Sequence, residues 1–329
     1  MSSAPHRRRF AAALVTATAL FAVGCVPDSG GTPTTSTTTV PESTTTSTST
    51  TSTTTTSTTS TTTTTSTSTS TTSTTTTTAP PVDHYDITID DGGVLTPSQR
   101  AQLDLAVARV ERVVAAGLPD VPVSIGAGLC LPNGPAINTT VDDLLVQVDL
   151  EDLGGNGGNG VLAAAGPCKS RTAPLGGLPV ACGLSYDTSS LDFMEANGIL
   201  DDVSTHELLH CLGIGTKWGS LVTNQFGADP RYNGAAAVAE WHALGGTGGV
   251  PLEPFLGGHW SESVFGDELM TPVSPVGFAP LSRLTIAALA DLGYSVDLTA
   301  ADPFTLPTPG AALRAAPPAT VSLANDVRH

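Results

Sequence analysis

The chain has 329 residues, with 13 basic and 30 acidic side chains and a formal net charge of −17. All 30 acidic residues follow Cys25, whereas Arg7, Arg8 and Arg9 precede it. Such an acidic surface repels nucleic acid and anionic lipid, so the composition argues against a nucleic-acid partner and against direct membrane binding by the folded part. The charge fits simple solubility, or attraction of basic substrates.

The first 25 residues predict an export signal. A basic region at 1–9 precedes an apolar region at 10–23 that is too short to be a permanent membrane span. Residues 7–10 resemble a twin-arginine signal, with an ordinary basic region as the alternative. Residues 22–25 resemble a bacterial lipobox, in which Cys25 is lipidated, with plain secretory cleavage as the alternative. We therefore expect an exported chain, either a cell-surface lipoprotein or a secreted protein.

A low-complexity segment follows the signal. Residues 32–78 consist of Ser and Thr apart from Pro33, Val40, Pro41 and Glu42, so they cannot bury enough apolar surface to fold. We expect a stalk with an end-to-end distance of about 40 Å, which is either O-glycosylated or an inert spacer. The predicted division of the chain is a signal peptide at 1–25, a stalk at 26–81, one folded domain at 82–299 and an Ala/Pro-rich tail at 300–329.

The first half of the folded part predicts strands around one helix. Thr96, Pro97 and Gln99 form a capping-box pattern, which starts an amphipathic helix that reaches about Gly117. A run of glycines at 154–160 indicates a loop or bulge. The predicted strands are 85–89, 121–125, 144–148, a short edge strand at 161–163, and 180–186.

The second half predicts helices. One helix begins at Asp202 or Ser204 and ends at Gly213, and another, at 235–244, lies in an insertion. Residues 275–280 are expected to form a loop. The last predicted helix is 282–292, with Gly293 as its stop, and the chain is expected to fray after Leu298. The predicted fold class is α+β.

Four cysteines follow Cys25 at positions 130, 168, 182 and 211. An even number in an exported chain predicts two disulfide bonds, with free buried thiols as the alternative. Three pairings are possible. We favour Cys130–Cys168 with Cys182–Cys211, because the second bridge would join the helix that ends at Gly213 to the segment before it.

That helix contains the motif His206-Glu207-Leu208-Leu209-His210. Residues four apart share one face of a helix, so His206 and His210 can both bind one Zn²⁺. Glu207 is placed to act as the general base towards a water that the zinc acidifies. Two solvent-facing histidines with a glutamate between them are the alternative interpretation.

A catalytic zinc site needs a third protein ligand and one open position. Three histidines follow the motif: His242, His259 and His329. His329 is the last residue and His242 lies in a predicted helix, whereas His259 follows two glycines and precedes a tryptophan. We predict that His206, His210 and His259 bind one catalytic Zn²⁺.

These residues carry a resemblance to a known family. Residues 206–213, HELLHCLG, match the first eight positions of the metzincin signature HExxHxxG, but Thr216 stands where most metzincins have the third histidine. Residues 259–271, HWSESVFGDELMT, resemble the leishmanolysin-like branch, which delays this histidine with an insertion. Residues 288–296 resemble the helix and turn that follow the family's Met-turn. The likeness covers most of 84–297.

The resemblance implies a zinc metalloendopeptidase with a metzincin-like zincin fold. A twisted mixed sheet and the active-site helix would form an N-terminal lobe at 82–213, and a smaller, mainly helical or irregular C-terminal lobe would occupy 214–299. Met270 would form the Met-turn beneath the zinc, with an ordinary core methionine as the alternative. Cys211 replaces the family's usual small residue, and it points about 100° away from His210 on the helix, which excludes it as a ligand.

A peptide or protein substrate is expected to lie along the edge strand, with Gly160, Val161, Leu162 and Ala163 as candidate binding residues. We expect a monomer that has no nucleic-acid partner. Contact with a membrane is expected only through a lipid on Cys25.

Two other functions fit parts of the sequence. One is a non-catalytic adhesin or binding lipoprotein on a metzincin scaffold. The intact Glu207 disfavours it, because a structural zinc has no use for that carboxylate. The other is a gluzincin with Glu240 as the third ligand, in which Gly213 and Met270 have no special role.

Overall fold

The computed structural model describes residues 83–158, 160–172 and 176–308, together with the backbone of 320–322. The predicted signal peptide, the lipidation site Cys25, the stalk and His329 lie outside these residues. Within the described residues, no helix combines the length and the apolar character needed to cross a membrane.

The described chain forms strands in several small sheets. The strands are, in chain order, β1 (Ile87–Asp90), β2 (Val121–Ile125), β3 (Ile137–Val141), β4 (Leu144–Glu151), β5 (Ala163–Ser170), β6 (Pro179–Asp187), β7 (Val222–Thr223), β8 (Arg231–Tyr232), β9 (Val250–Pro251), β10 (Val273–Pro275) and β11 (Thr320–Ser322).

The largest sheet is mixed and has the strand order β1-β4-β6-β5. Strands β1, β4 and β6 are parallel, and β5 runs antiparallel to β6 along one edge. All nine residues of β6 are buried, as is typical of a central strand covered on both faces. The smaller sheets are the hairpin β2-β3, the three short strands β7-β8-β9 and the pair β10-β11.

Six helices lie within the described residues: α1 (Pro97–Glu111), α2 (Leu191–Ala196), α3 (Leu200–Leu212), α4 (Ala235–Ala243), α5 (Glu262–Phe265) and α6 (Arg283–Leu292). Helix α3 packs against α1 and against strands β5 and β6, while α4 packs against α6. Alanines Ala163 and Ala165 of β5 are fully buried, and such small side chains allow α3 to approach the sheet closely. The described part is therefore α+β with a mixed sheet.

Helix α1 begins as predicted but ends early. The capping box is confirmed, with the Thr96 side chain accepting from the Gln99 N–H and the Gln99 side chain accepting from the Thr96 N–H. The predicted end at Gly117 is wrong, because the chain leaves the helix after Glu111. There the Ala115 N–H donates to the Ser295 carbonyl, so pairing with a distant segment replaces the last helical turn.

Several elements differ from the sequence prediction. Of the predicted edge strand 161–163, only Ala163 belongs to β5, which continues to Ser170. Pro275, predicted in a loop, ends β10. Elements β3, β7, β8, β9, β11, α2 and α5 were not predicted, since most are too short to show a periodic pattern. Helix α6 is confirmed, with Ser282 as its N-cap and Gly293 as its left-handed C-cap.

One buried core contains residues from both predicted lobes, for example Leu103 and Leu184 from the first and Trp260 and Leu289 from the second. Residues after the predicted domain end at 299 also pack against this core, namely Ala300, Ala301, Phe304 and Leu306. The folded part therefore extends past the predicted start of the tail.

Two disulfide bonds are present, and they confirm the favoured pairing. Cys130 is bonded to Cys168, with their Cα atoms 5.0 Å apart, and Cys182 is bonded to Cys211 at 5.5 Å. The second bond ties the central strand β6 to α3 at the residue after His210. The alternative of free buried thiols is wrong.

Candidate metal centre

Helix α3 positions two of the predicted ligands. His206 and His210 lie four residues apart and are fully buried, with their Nε2 atoms 3.0 Å from each other. The helix ends in a Schellman motif, in which Gly213 N–H donates to the His210 carbonyl and Ile214 N–H donates to the Leu209 carbonyl. Gly213 makes this ending possible because its φ is 115°, a conformation that L side chains rarely adopt.

A distant segment brings the third histidine to the same place. His259 Nε2 lies 3.2 Å from the Nε2 atom of His206 and 3.2 Å from that of His210. Residue His259 is only 1 % exposed. Its backbone carbonyl accepts from the Glu253 N–H at 2.9 Å, which holds the loop that leads into it. Three ring nitrogens from two separate parts of the chain therefore converge.

Trp260 anchors the segment that carries His259. The indole ring of Trp260 is fully buried and stacks on Trp218, with ring centroids 5.2 Å apart. The Tyr232 ring meets the Trp260 ring edge-on, with centroids 5.6 Å apart. The backbone N–H of Trp260 donates to the Met270 carbonyl. The residue after the third histidine is thus held by packing on the insertion and by a hydrogen bond to the predicted Met-turn.

Backbone carbonyls define the tautomer of the two helical histidines. His206 Nδ1 lies 2.7 Å from the Leu269 carbonyl oxygen, and His210 Nδ1 lies 2.8 Å from the Ile214 carbonyl oxygen. A carbonyl can only accept, so both Nδ1 atoms carry hydrogen, and the tautomer of each ring that can bind a metal has its lone pair at Nε2. This pattern is the usual one for metal-binding histidines.

The donor set fits a divalent metal such as zinc. Two Nε2 lone pairs facing each other at 3.0 Å cannot form a hydrogen bond with each other. A tetrahedral zinc with Zn–N bonds of 2.0–2.1 Å separates its nitrogen ligands by about 3.3 Å, close to the observed spacing. His206, His210 and His259 could therefore hold one metal ion.

Glu207 lies between the two helical histidines and is fully buried. Its charge acts on Tyr186, whose pKa is raised mainly by burial and further by the Glu207 carboxylate. The Tyr186 hydroxyl contacts Ser204 Oγ at 2.5 Å, so β6 and α3 meet closely beside this glutamate. Glu207 is therefore a buried carboxylate that directly follows one candidate metal ligand and lies three residues before the other.

Met270 lies in a tight turn beside the histidines. The turn Glu268–Thr271 is closed by the Thr271 N–H donating to the Glu268 carbonyl at 3.1 Å. The Met270 side chain is fully buried. The preceding residue, Leu269, supplies the carbonyl that orients His206, so this turn supports the site through its backbone as well as by packing.

The candidate substrate-binding residues have different surroundings. Gly160 and Val161 precede β5 and are partly exposed, whereas Leu162 and Ala163 are fully buried. Ala163 begins the edge strand β5, and the Leu162 carbonyl accepts from the Asp187 N–H of β6. Gly160 and Val161 are therefore the members of this group with surface available to a ligand.

The other ligands weighed from the sequence make different contacts. His242 is exposed, and its Nε2 lies 3.1 Å from the Gly248 carbonyl oxygen. Both carboxylate oxygens of Glu240 accept hydrogen bonds from Arg283, at 2.9 and 2.8 Å. Cys211 is bonded to Cys182 and cannot offer a thiolate.

Sequence reasoning missed the groups around the ligands. Glu268, Ser282 and Thr285 form a buried hydrogen-bonded cluster that reaches Trp260, and Gly215 lies against Gly258. In the sequence, Glu268 stands out only as part of the run 259–271, HWSESVFGDELMT. Glu268 lies 14 residues before Ser282, the serine that caps α6, and this separation does not correspond to any sequence motif.

Neither the protein-family models nor the curated proteins that were compared match this chain. The resemblance to leishmanolysin-like metzincins therefore stays a prediction.

Proposed function

We propose that this chain is an exported zinc-dependent endopeptidase of the leishmanolysin-like metzincin type. The observation that carries the proposal is that the Nε2 atoms of three buried histidines lie within 3.0–3.2 Å of one another. Two of these histidines lie on α3, the helix that also carries Glu207. The HExxHxxG pattern and the turn at Met270 support the same function. The expected cofactor is one Zn²⁺ held by His206, His210 and His259.

The chemistry divides between the metal and this chain's own residues. When bound, zinc supplies an acidified water and polarises the scissile carbonyl. Glu207 takes the proton from the water at its carboxylate and delivers it to the nitrogen of the leaving amine. The buried surroundings of Glu207 keep bulk water away from this proton. No serine or cysteine nucleophile is required.

Protein or peptide substrates are the expected class. We propose that an extended peptide passes Gly160 and Val161 and continues along the edge strand, because these partly exposed residues lead directly into β5 at the edge of the sheet.

The two disulfides suggest an oxidising compartment, which agrees with export. Delivery by the predicted signal, and attachment through a lipid on Cys25, are part of the proposal. The acidic composition supports a monomer that meets membranes only through that anchor.

Substitution Glu207→Gln tests the general base. We expect the variant to bind one zinc per chain, as the unsubstituted protein does, because all three histidines remain. Cleavage of casein should fall by about 10²–10⁴-fold, the usual contribution of a positioned base. Glu195→Gln, which removes one carboxylate from α2, is the matched control and should cleave at the normal rate.

Removal of the metal distinguishes the peptidase from the rival binding protein. A chelator should abolish cleavage by the unsubstituted protein, and added zinc should restore it. One zinc per chain without any chelator-sensitive cleavage would instead support a non-catalytic adhesin. Normal casein cleavage by Glu207→Gln would show that another group acts as the base.

A further inference from the structure

Glu268 is a fully buried carboxylate held by four neutral donors. Its Oε1 accepts from Ser282 Oγ at 2.6 Å, from Ser282 N–H at 3.2 Å and from Thr285 Oγ1 at 2.5 Å. Its Oε2 accepts from the Met270 N–H at 2.7 Å. Ser282 is the N-cap of α6, so this carboxylate also lies at the positive end of a helix dipole.

One side of this cluster leads to His206. Glu268 begins the turn Glu268–Thr271, and its carboxylate bonds the third peptide N–H of that turn, at Met270. The Met270 N–H belongs to the same planar peptide unit as the Leu269 carbonyl, and this carbonyl is the acceptor for His206 Nδ1. The position of the Glu268 side chain therefore determines where the carbonyl that orients this histidine can lie.

The other side of the cluster leads to His259. Trp260 Nε1 donates to Thr285 Oγ1 at 2.7 Å, and the same hydroxyl donates to Glu268 Oε1. Trp260 directly follows His259, and its backbone N–H donates to the Met270 carbonyl at 3.0 Å. Trp260 is therefore joined to the turn Glu268–Thr271 twice, through its indole ring by way of Thr285 and directly through its backbone N–H.

We propose that Glu268 is a positioning residue of the metal centre, which joins the turn that orients His206 to the tryptophan that anchors His259. Its carboxylate accepts both the hydrogen bond from the Met270 N–H and the hydrogen bond from Thr285, and it is also bonded to Ser282 at the start of α6. Glu268 thus prepares the two ligand-bearing segments for metal before the metal arrives. The inference deepens the proposed zinc function and rests on it.

A carboxylate is required because both of its oxygens face donors. A glutamine offers one oxygen and one NH₂ group. If its oxygen faced Ser282 and Thr285, the NH₂ would point at the Met270 N–H. If it were turned round, the NH₂ would point at the Ser282 N–H. Either arrangement leaves a buried N–H without its acceptor, so the turn must shift.

Zinc affinity of Glu268→Gln, in the full chain, tests the proposal. The dissociation constant is measured by competition with a chelator, and the visible spectrum of the Co²⁺-loaded protein reports the ligand geometry. We expect zinc binding to weaken by about 10–100-fold, with an altered Co²⁺ spectrum, as for other residues that orient metal ligands. Thermal unfolding of the zinc-free protein is recorded beside it to separate stability from affinity.

Two further variants make the test specific. Thr285→Val keeps the side-chain shape but breaks the path from Trp260 to Glu268, so it should weaken zinc binding in the same direction. Asp187→Asn is the matched control, because Asp187 is also fully buried and also accepts four donors, from Leu153, Gly155 and Ser189. It should lower stability while leaving the zinc dissociation constant within twofold of normal.

The possible outcomes separate the two proposals. If Glu268→Gln binds zinc as tightly as the unsubstituted chain, or weakens binding no more than Asp187→Asn does, the positioning role is wrong while the zinc function stands. If Glu268→Gln does not fold, Thr285→Val decides alone, and normal zinc affinity in that variant overturns the proposal. If the unsubstituted chain binds no zinc, the proposed function itself fails.

Discussion

His206 and His210 each use their two ring nitrogens for different purposes. The Nδ1 atoms donate to the carbonyls of Leu269 and Ile214, and the Nε2 atoms point at each other and at His259. These carbonyls select one tautomer, so each ring is ready to accept a cation without a change of orientation. The side chains alone would not provide this readiness, because an unheld imidazole can present either nitrogen.

Replacing His259 with alanine, compared with Glu240→Ala, distinguishes the third ligand. His259→Ala should lose bound zinc, because only two ligands remain, whereas Glu240→Ala should retain one zinc per chain. Glu240 pairs with the exposed Arg283, so its loss should change stability little. The measurement is metal content after gel filtration. Zinc retained in His259→Ala but lost in Glu240→Ala would favour the gluzincin arrangement.

At the scale of elements, the residues that end α3 contact both His210 and the segment before His259. The Schellman motif at Gly213 turns the chain so that the Ile214 carbonyl returns to His210. Two residues later, Gly215 has a φ of 73° and lies against the segment before His259. A Cβ at this position would be 2.4 Å from the Gly258 carbonyl oxygen. The helix end therefore supports the second ligand and also leaves room for the third.

Substitution Gly215→Ala should disturb the metal centre, because the added methyl group would displace Gly258 and with it His259. Gly219→Ala is the matched control, since its φ is also positive, at 48°, but nothing lies within 4 Å of the added Cβ. Both variants should lose about 1–2 kcal/mol of stability from the left-handed conformation. Only Gly215→Ala should also bind zinc more weakly, measured by chelator competition. Equal zinc affinities would show that this close contact does not position His259.

The elements that the sequence predicted well are those with local signals. The capping box of α1 and the glycine that ends α6 are signals that span only a few positions, and both are confirmed. The end of α1 was missed because Ala115 bonds Ser295, a partner that no local pattern reveals. The short strands of the insertion were missed for a different reason, because two-residue strands are too short to show alternation.

Across the folded part, a few buried links join distant parts of the chain. Arg109 of α1 bonds Asp202 of α3 at 2.6 Å and Asp302 at 2.7 Å, and it also donates to the Ala279 carbonyl. The disulfide between Cys182 and Cys211 adds a covalent link between β6 and α3. These links hold α3 against the sheet, against α1 and against the segment around Asp302.

Stability of the folded part should depend on pH through Glu262. Burial raises the pKa of Glu262 from 4.5 to about 7; a hydrogen bond with Thr271 opposes this, and the charges of Asp267 and Glu253 add to it. Between these two values the folded state keeps a proton that the unfolded chain has released, so stability falls as pH rises through this window.

Glu262→Gln should remove this dependence, because a neutral side chain has no charge to bury. Its melting temperature should match that of the unsubstituted protein near pH 4.5 and exceed it increasingly up to about pH 7. The exposed Asp90→Asn is the control for the loss of one negative charge. Melting temperatures are compared in the same metal-free buffers. A difference that stays constant with pH would contradict the assignment.

The sequence by itself determined what depends on short spacing. Two histidines four residues apart, with a glutamate after the first, place three functional groups on one helix wherever that helix lies. The cysteine count and the helix caps belong to the same class of local signal. The sequence favoured His259 over His242 and His329 as the third ligand, and the tertiary structure showed that it meets a histidine 49 residues earlier. The tertiary structure alone placed Glu268 against both ligand-bearing segments. These contacts depend on how separate segments pack, and that packing is set by the whole buried core.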